Sequence, residues 1–360
     1  RLDSTYTKSL RRLIFVHCIG WYIGKDLTNM DIHHITHRTA EECRATAELA
    51  KHASWSQAIN TFRAKLDIQV MSRKNNPETP AITSRLMRKH RTVLNYLESR
   101  YADFYRRYDY AQPLPDDDPA YQGKVWLCWW QGIDNAPALV QRCVESIQRN
   151  VKEHDVIILT DENYRRYVDI PDWIVDKYRN GVFSRTHFSD ILRYCLLSQH
   201  GGLWLDATFF CAHPLDDYLD MPLFTIKRPG YDHRSVACGM FAGYSLGCDY
   251  EHRRIFAVMR DFLFEYWRTN DFLIDYLLVD YMCKLAQQYD SRIAQAFESV
   301  VPNNPQCDDL AKSLASPFDQ RLWDELKSDT SLFKLTWKQQ FPSVVEGKDT
   351  FYARLLQQKL

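Results

Sequence analysis

Residues 184–211, SRTHFSDILRYCLLSQHGGLWLDATFFC, decide how this chain reads. Phe188, Ile191, Leu192, Cys195 and Leu196 recur at three- and four-residue spacing, which predicts a helix with one apolar face. Ser184 is placed to cap its start. Gly201 and Gly202 are placed to end it, because glycine takes the left-handed conformation that a helix C-terminus needs. Leu203, Trp204 and Leu205 then read as a short buried strand with Asp206 at its end. A carboxylate there lies where open α/β sheets bind their ligands, at the carboxyl ends of the strands.

The pattern extends outward on both sides. Residues 124–130 (KVWLCWW) and 156–159 (VIIL) read as buried strands, and residues 138–149 and 171–178 as helices. Thr160-Asp161 reads as a further helix start. Residues 223–226 (LFTI) read as another strand. Residues 237–247 (ACGMFAGYSLG) are rich in small residues that let a backbone or ligand come close. Residues 253–267 read as an amphipathic helix, and residues 272–281 as an unusually apolar helix carrying Asp275 and Asp280, with Asp271 and Asp275 on one face. Strands alternating with helices predict an α/β sheet.

Upstream the character differs. Residues 39–62 and 85–110 are predicted to be helical, the second with Leu86, Val93, Leu94, Leu97, Tyr101, Phe104 and Tyr105 on or near one face. Residues 113–119 (PLPDDDP) read as a stiff, solvated linker. The expected organisation is a helical N-terminal region at 1–112, a linker at 113–120 and an α/β domain at 121–360.

Composition narrows the function. Lys and Arg total 46 and Asp and Glu total 46, so the formal net charge is zero, and a nucleic-acid binder, which carries a basic excess, is set aside. None of the ten cysteines forms a CxxC pair, which argues against a zinc cluster and for buried free thiols in a reducing compartment. No signal peptide is evident. The apolar run at 13–23 is too short to span a bilayer, although Arg11 and Arg12 before it leave room for a peripheral membrane contact. There is no GxGxxG after the first strand, no P-loop, no GxSxG elbow and no HExxH. Carboxylates at strand ends and in apolar helices are what remains for chemistry.

Together, GGLWLDAT preceded by FSDILRYCLLSQH resembles the bacterial capsular polysaccharide synthesis proteins, which are similar to glycosyltransferases with a DXD-containing sugar-binding region. VWLCWWQGIDNAP, SRTHFSDILR, EYWRTNDFLIDYLLVDY and KLTWK match further segments in the same order, over residues 124–338. The resemblance implies a GT-A-like, Rossmann-type nucleotide-sugar-binding domain. It implies transfer of a hexose, with a hint of retained configuration, from a UDP-sugar to a lipid-linked or polymeric surface glycan. The setting it implies is the cytoplasm, at the inner face of the membrane.

The residues give that chemistry candidate parts. A departing diphosphate needs its charge neutralised, and Mn²⁺ or Mg²⁺ on hard oxygens does this. Asp206 is the expected metal ligand. The DXD pattern would place a second Asp at 208, but Thr208 stands there, and no histidine follows His252. Asp190, with Arg193 three residues on, is expected to meet the donor's ribose or base. Trp130, Gln131 and Gly132 are expected to line the nucleotide pocket. Lys334 and Lys338 are candidates for the diphosphate, supplying charge that a missing metal ligand would have given. Asp275 or Asp280 could orient the sugar or take the acceptor's proton, because a carboxylate in an apolar helix is costly unless paired or functional. His187 and His213 read as structural. Two rivals stand beside this reading: a relative that binds nucleotide-sugar or glycan without turnover, and a phosphosugar transferase.

Overall fold

The computed structural model describes residues 32–74, 77–231 and 233–360, so the apolar run at 13–23 and Cys18 lie outside the described residues. In chain order the longer elements are α1 (Ile32–His52), α2 (Trp55–Lys74), α3 (Pro80–Arg107), β1 (Val125–Cys128), α4 (Ala138–Asn150), β2 (Val156–Leu159), α5 (Asp172–Arg179), α6 (Arg185–His200), β3 (Gly202–Leu205), β4 (Phe209–Cys211), β5 (Phe224–Thr225), β6 (Ser245–Cys248), α7 (Arg254–Thr269), α8 (Leu278–Tyr289), α9 (Ser291–Ser299), α10 (Asp309–Ser313), α11 (Gln320–Leu326), β7 (Leu332–Lys334), β8 (Val344–Val345), β9 (Lys348–Asp349) and α12 (Phe351–Leu356). The chain divides into two compact units, Arg1–Asp103 with Thr269–Tyr281, and Phe104–Arg268 with Met282–Leu360.

In the first unit, the helical stretch expected at 39–62 is two helices. The Ser54 hydroxyl accepts the Gln57 N–H at 3.2 Å and starts α2, so the chain breaks at residues 53–54. Pro80 opens α3, where its missing N–H costs nothing. Leu86, Val93, Leu97 and Tyr101 lie buried along one side of α3, as their spacing requires. Residues 272–277 are not helical. Asp275 accepts the Leu277 N–H at 3.1 Å, and the helix begins only at Leu278. The shared face expected for Asp271 and Asp275 is therefore not formed.

The second unit is a mixed α/β structure around a five-stranded sheet of order β2-β1-β3-β6-β5. β2, β1 and β3 are parallel, whereas β6 and β5 run against their neighbours. β3 is buried along its whole length, as expected of a strand covered on both faces. Gly202 allows the sheet to close, since a Cβ there would lie 2.2 Å from the Lys124 carbonyl oxygen. β4 and β7 form a separate antiparallel pair with Phe209 opposite Lys334.

The opening stretch folds as read. Ser184 accepts the His187 N–H at 3.3 Å, and Gly201 caps the C-terminus of α6 with φ 67°. Thr160-Asp161 begins a turn leading to a single 3-10 turn at Tyr164–Arg166 rather than a helix, because Asn163 Oδ1 takes the Thr160 N–H at 2.8 Å. Residues 113–119 lie within the second unit, where the Asp117 N–H donates to the Tyr250 hydroxyl at 3.0 Å and the Asp117 carboxylate pairs with His200. Among the described residues Cys128, Cys143, Cys195, Cys211, Cys248 and Cys307 are free thiols. Among those residues no helix is long and apolar enough to cross a membrane.

Candidate functional site

The register of β1 with β3, Val125 opposite Leu203 and Trp126 opposite Trp204, brings their carboxyl ends out at one edge of the sheet. Asp206 follows β3 at that edge. Its N–H donates to the Tyr244 carbonyl at 3.1 Å, and its own carbonyl accepts the Phe209 N–H at 3.0 Å. A tight turn thus sends the chain straight into β4. The Asp206 side chain stays one-third exposed (33%), open to a ligand on one side and packed on the others.

Both carboxylate oxygens are engaged. Lys334 Nζ donates to Oδ2 at 2.9 Å and also to Thr208 Oγ1 at 2.6 Å. Arg193 Nη2 donates to Oδ1 at 3.4 Å, and the Trp204 indole N–H reaches the same oxygen at 3.3 Å. Burial acts to raise the Asp206 carboxyl, but the charges of Lys334 and Arg193 outweigh it and hold the group below the usual carboxylate range. The group is therefore an anion at neutral pH.

Arg193 is a strut. It is only 6% exposed, donates to the Gly243 carbonyl, and lies 3.4 Å from Asp190 as well as from Asp206. Its guanidinium sits 4.9 Å from the centre of the Trp204 ring. His187 lies beside Asp190, its Nδ1 3.5 Å from the carboxylate, and its Nε2 accepts the Trp267 indole N–H at 2.9 Å. Lys334, at 22% exposure, is the cation here that solvent reaches. The rings of Phe209 and Tyr244 flank its ammonium at 5.3 and 5.6 Å.

The remaining expected residues fall into three places. Trp130 is buried against Phe188, ring centres 5.4 Å apart, and its indole N–H donates to Ser189 Oγ at 2.8 Å. Its ring is committed to packing, while Gln131 is exposed and Gly132 takes φ 80° in the loop beyond β1. Lys338 is exposed, beyond Trp337, which is 44% exposed and meets Trp129 edge-on at 5.8 Å. Asp275 and Asp280 belong to the first unit, both buried. Asp275 forms ion pairs there with Lys89 at 2.9 Å and Lys65 at 3.8 Å. His213 contacts the Lys327 carbonyl through Nε2 at 2.6 Å.

Sequence reasoning passed over Tyr244 and Arg228. Arg228 donates to the Tyr244 hydroxyl at 3.0 Å and to Asp308 at 2.7 Å, which holds the Tyr244 ring beside Lys334. The Lys-Arg pair directly after a strand was the available signal.

Asp206 and Thr208 were the residues expected to hold a divalent cation. Such an ion needs about six oxygen ligands at close to 2 Å. Here one ammonium already bridges Oδ2 and Oγ1, while Oδ1 is turned to Arg193 and Trp204. Among the described residues no group of three His, Cys, Asp or Glu side chains converges, so a divalent ion here would draw most of its ligands from substrate phosphates and water. The donor set as arranged fits an ammonium, not a protein-held divalent ion.

Comparison with known proteins finds one family model and two distant curated relatives that this chain is similar to. The family model of the capsular polysaccharide synthesis proteins matches residues 73–355. An O-glycosyltransferase of Annulohypoxylon truncatum, braB, is 29% identical over 102 residues, 26% of this chain and 24% of that protein. A glycosyltransferase of Aspergillus fumigatus, afumC, is 32% identical over 114 residues, 29% of this chain and 28% of that protein. The matched part thus spans about a quarter of the length of these curated relatives. No solved structure matches significantly.

Proposed function

The chain belongs to the capsular polysaccharide synthesis protein family, and from that premise we propose that it transfers a sugar from a UDP-linked donor to an acceptor hydroxyl. The observation that carries the reading is the Asp206–Lys334–Thr208 cluster at the carboxyl edge of parallel strands, with Asp206 ionised and still open to solvent. Three parallel strands followed by antiparallel β6 and β5 support a GT-A-like arrangement of this sheet. The name of the Annulohypoxylon relative supports an oxygen acceptor. The family description supports a glycan acceptor, lipid-linked or polymeric.

The reaction balances simply. The acceptor oxygen forms a bond to the anomeric carbon, the bond from that carbon to the diphosphate oxygen breaks, and UDP and one proton are released. Negative charge builds on the leaving oxygen, so a fixed cation at the sheet edge lowers the barrier. Lys334 is placed for this work. Its ammonium has three N–H donors, two of which are used by Asp206 and Thr208, so one remains for a phosphate oxygen. Arg193, only 6% exposed, keeps Asp206 in place.

The test is UDP release and product formation across UDP-glucose, UDP-galactose and their N-acetyl forms, with glycan acceptors. Sugar–oxygen bond formation with release of UDP is expected. UDP binding without turnover of any donor would sink the enzyme reading in favour of a binding protein. A phosphate retained in the product would sink it in favour of a phosphosugar transferase.

A further inference from the structure

We propose that Lys334 is the resident cation of this site and that nucleotide-diphosphate binding there needs no protein-held divalent ion. The inference deepens the reading of the site as a nucleotide-sugar centre and rests on it. Three observations carry it.

The first is position. The Lys334 ammonium lies within hydrogen-bond distance of the two oxygens, Asp206 Oδ2 and Thr208 Oγ1, that a cation at the end of β3 would have to bridge. The second is anchorage. Lys334 is not on a loop that can swing aside. It is paired with Phe209 in the β4–β7 ladder, its N–H donates to the Cys307 carbonyl at 2.8 Å, and the Leu335 N–H donates to the Thr208 carbonyl at 3.0 Å. The ladder that sets Lys334 also sets Thr208, so ammonium and hydroxyl meet by backbone register.

The third is charge. Asp190 and Asp206 supply two negative charges, and Arg193 and Lys334 supply two positive ones. Before the nucleotide arrives, a divalent ion entering beside Asp206 would find the side-chain charges already balanced and would face the ammonium at contact range. Thr208 fits the same logic. A neutral hydroxyl accepts from an ammonium without adding an anion, whereas the second carboxylate of a DXD pair would add the negative charge that draws in a divalent metal.

Two readouts test the proposal on the whole chain. The first is the electron paramagnetic resonance signal of free Mn²⁺, titrated with protein in the presence of UDP and corrected for Mn²⁺ held by UDP alone. Wild type is expected to take up no further Mn²⁺. The double variant T208D/K334A, which replaces the ammonium by a second carboxylate, is expected to gain about one Mn²⁺ per chain. Uptake of one Mn²⁺ by wild type, lost in Asp206→Asn, would overturn the proposal.

The second readout is UDP affinity by calorimetry. Wild-type affinity is expected to stay within about twofold on adding a chelator, and Lys334→Ala to weaken it about tenfold or more, with Lys334→Arg recovering part of the loss. Circular dichroism checks that each variant folds. Loss of UDP binding on chelation, restored by Mn²⁺, would overturn the proposal. If UDP binds under neither condition, the nucleotide-sugar reading fails and the proposal with it, whereas UDP binding that requires Mn²⁺ keeps that reading and overturns the proposal alone.

Discussion

Two carboxylates in this protein have nearly the same partners and opposite surroundings. Asp206 meets a lysine at 2.9 Å and an arginine at 3.4 Å, and Asp275 meets lysines at 2.9 Å and 3.8 Å. For both, burial acts to raise the carboxyl, and for both the neighbouring cations outweigh it and hold the group below the usual carboxylate range. They differ in access. Asp206 is one-third exposed, whereas Asp275 and its partner Lys89 are 3% and 1% exposed. A sealed ion pair can do nothing but hold its own surroundings together. An open pair of the same composition can bind.

The sealed pair should show the largest effect. Changing Asp275 to Asn leaves the Lys89 ammonium buried without its counter-charge, which should cost about 3–5 kcal/mol in the first unit. Hydrogen exchange along residues 80–103 of α3 reads that unit and should accelerate sharply. The double variant D275N/K89M should recover most of the loss, since an apolar replacement of a buried pair is often neutral. Protection unchanged in Asp275→Asn would mean that the pair carries no structural weight, and the contrast with Asp206 would collapse.

The open pair should show the reverse profile. Asp206→Asn is expected to lower sugar transfer about a hundredfold, the scale for losing one preorganised electrostatic group, while stability shifts by no more than about 1 kcal/mol. Steady-state transfer rates and thermal melts measured together check this. A large loss of stability with transfer retained would move Asp206 into the same class as Asp275.

Arg193 sharpens the comparison by an intermediate effect. It has the burial of the sealed pair and the partners of the open one. Arg193→Lys keeps the charge but cannot span Gly243, Asp190 and Asp206 at once, so a loss of about tenfold in kcat is expected with KM little changed. A rise in KM alone would mean that Arg193 meets the donor directly.

The contrast also shows what a sequence can and cannot convey. The helix at 185–200, its Ser184 cap, the strand after it and the carboxylate at its end are local, and they were legible from spacing and two glycines. Asp190 and Arg193 were legible as a pair because they are one helical turn apart. The ion pair of Asp206 with Lys334 spans 128 residues and depends on β4 pairing with β7, which no local pattern announces. Asp275 misled for the same reason. An apolar stretch suggested a helix, and the lysines that neutralise its carboxylate come from α2 and α3. Trp130 was legible as a strand-end aromatic but not as a ring already taken up by Phe188.

A third carboxylate, Asp290, completes the series and carries the smallest effect. It caps α9 by accepting the N–H groups of Arg292 at 2.8 Å and Ile293 at 3.1 Å, and its side chain is 7% exposed. Its ion partner Arg292 is 64% exposed, so the charge pair itself is screened and worth little. Burial acts to raise the Asp290 carboxyl, and the Arg292 guanidinium with the two capping N–H groups more than offsets it, leaving the group below its ordinary value. A carboxylate depressed on folding gives stability that is fully present above its unfolded pKa, about 3.9, and is lost as pH falls through the lower folded value. Asp290→Ala should therefore cost about 1 kcal/mol near neutrality, the usual worth of a cap, and this difference from wild type should shrink as the pH drops below about 4. Asp290→Asn keeps an oxygen for the two N–H groups, so it should retain most of the neutral-pH stability and lose the pH dependence. If Asp290→Asn cost as much as Asp290→Ala, charge rather than capping geometry would be holding this turn, and Asp290 would have to be grouped with Asp275 despite its exposed partner.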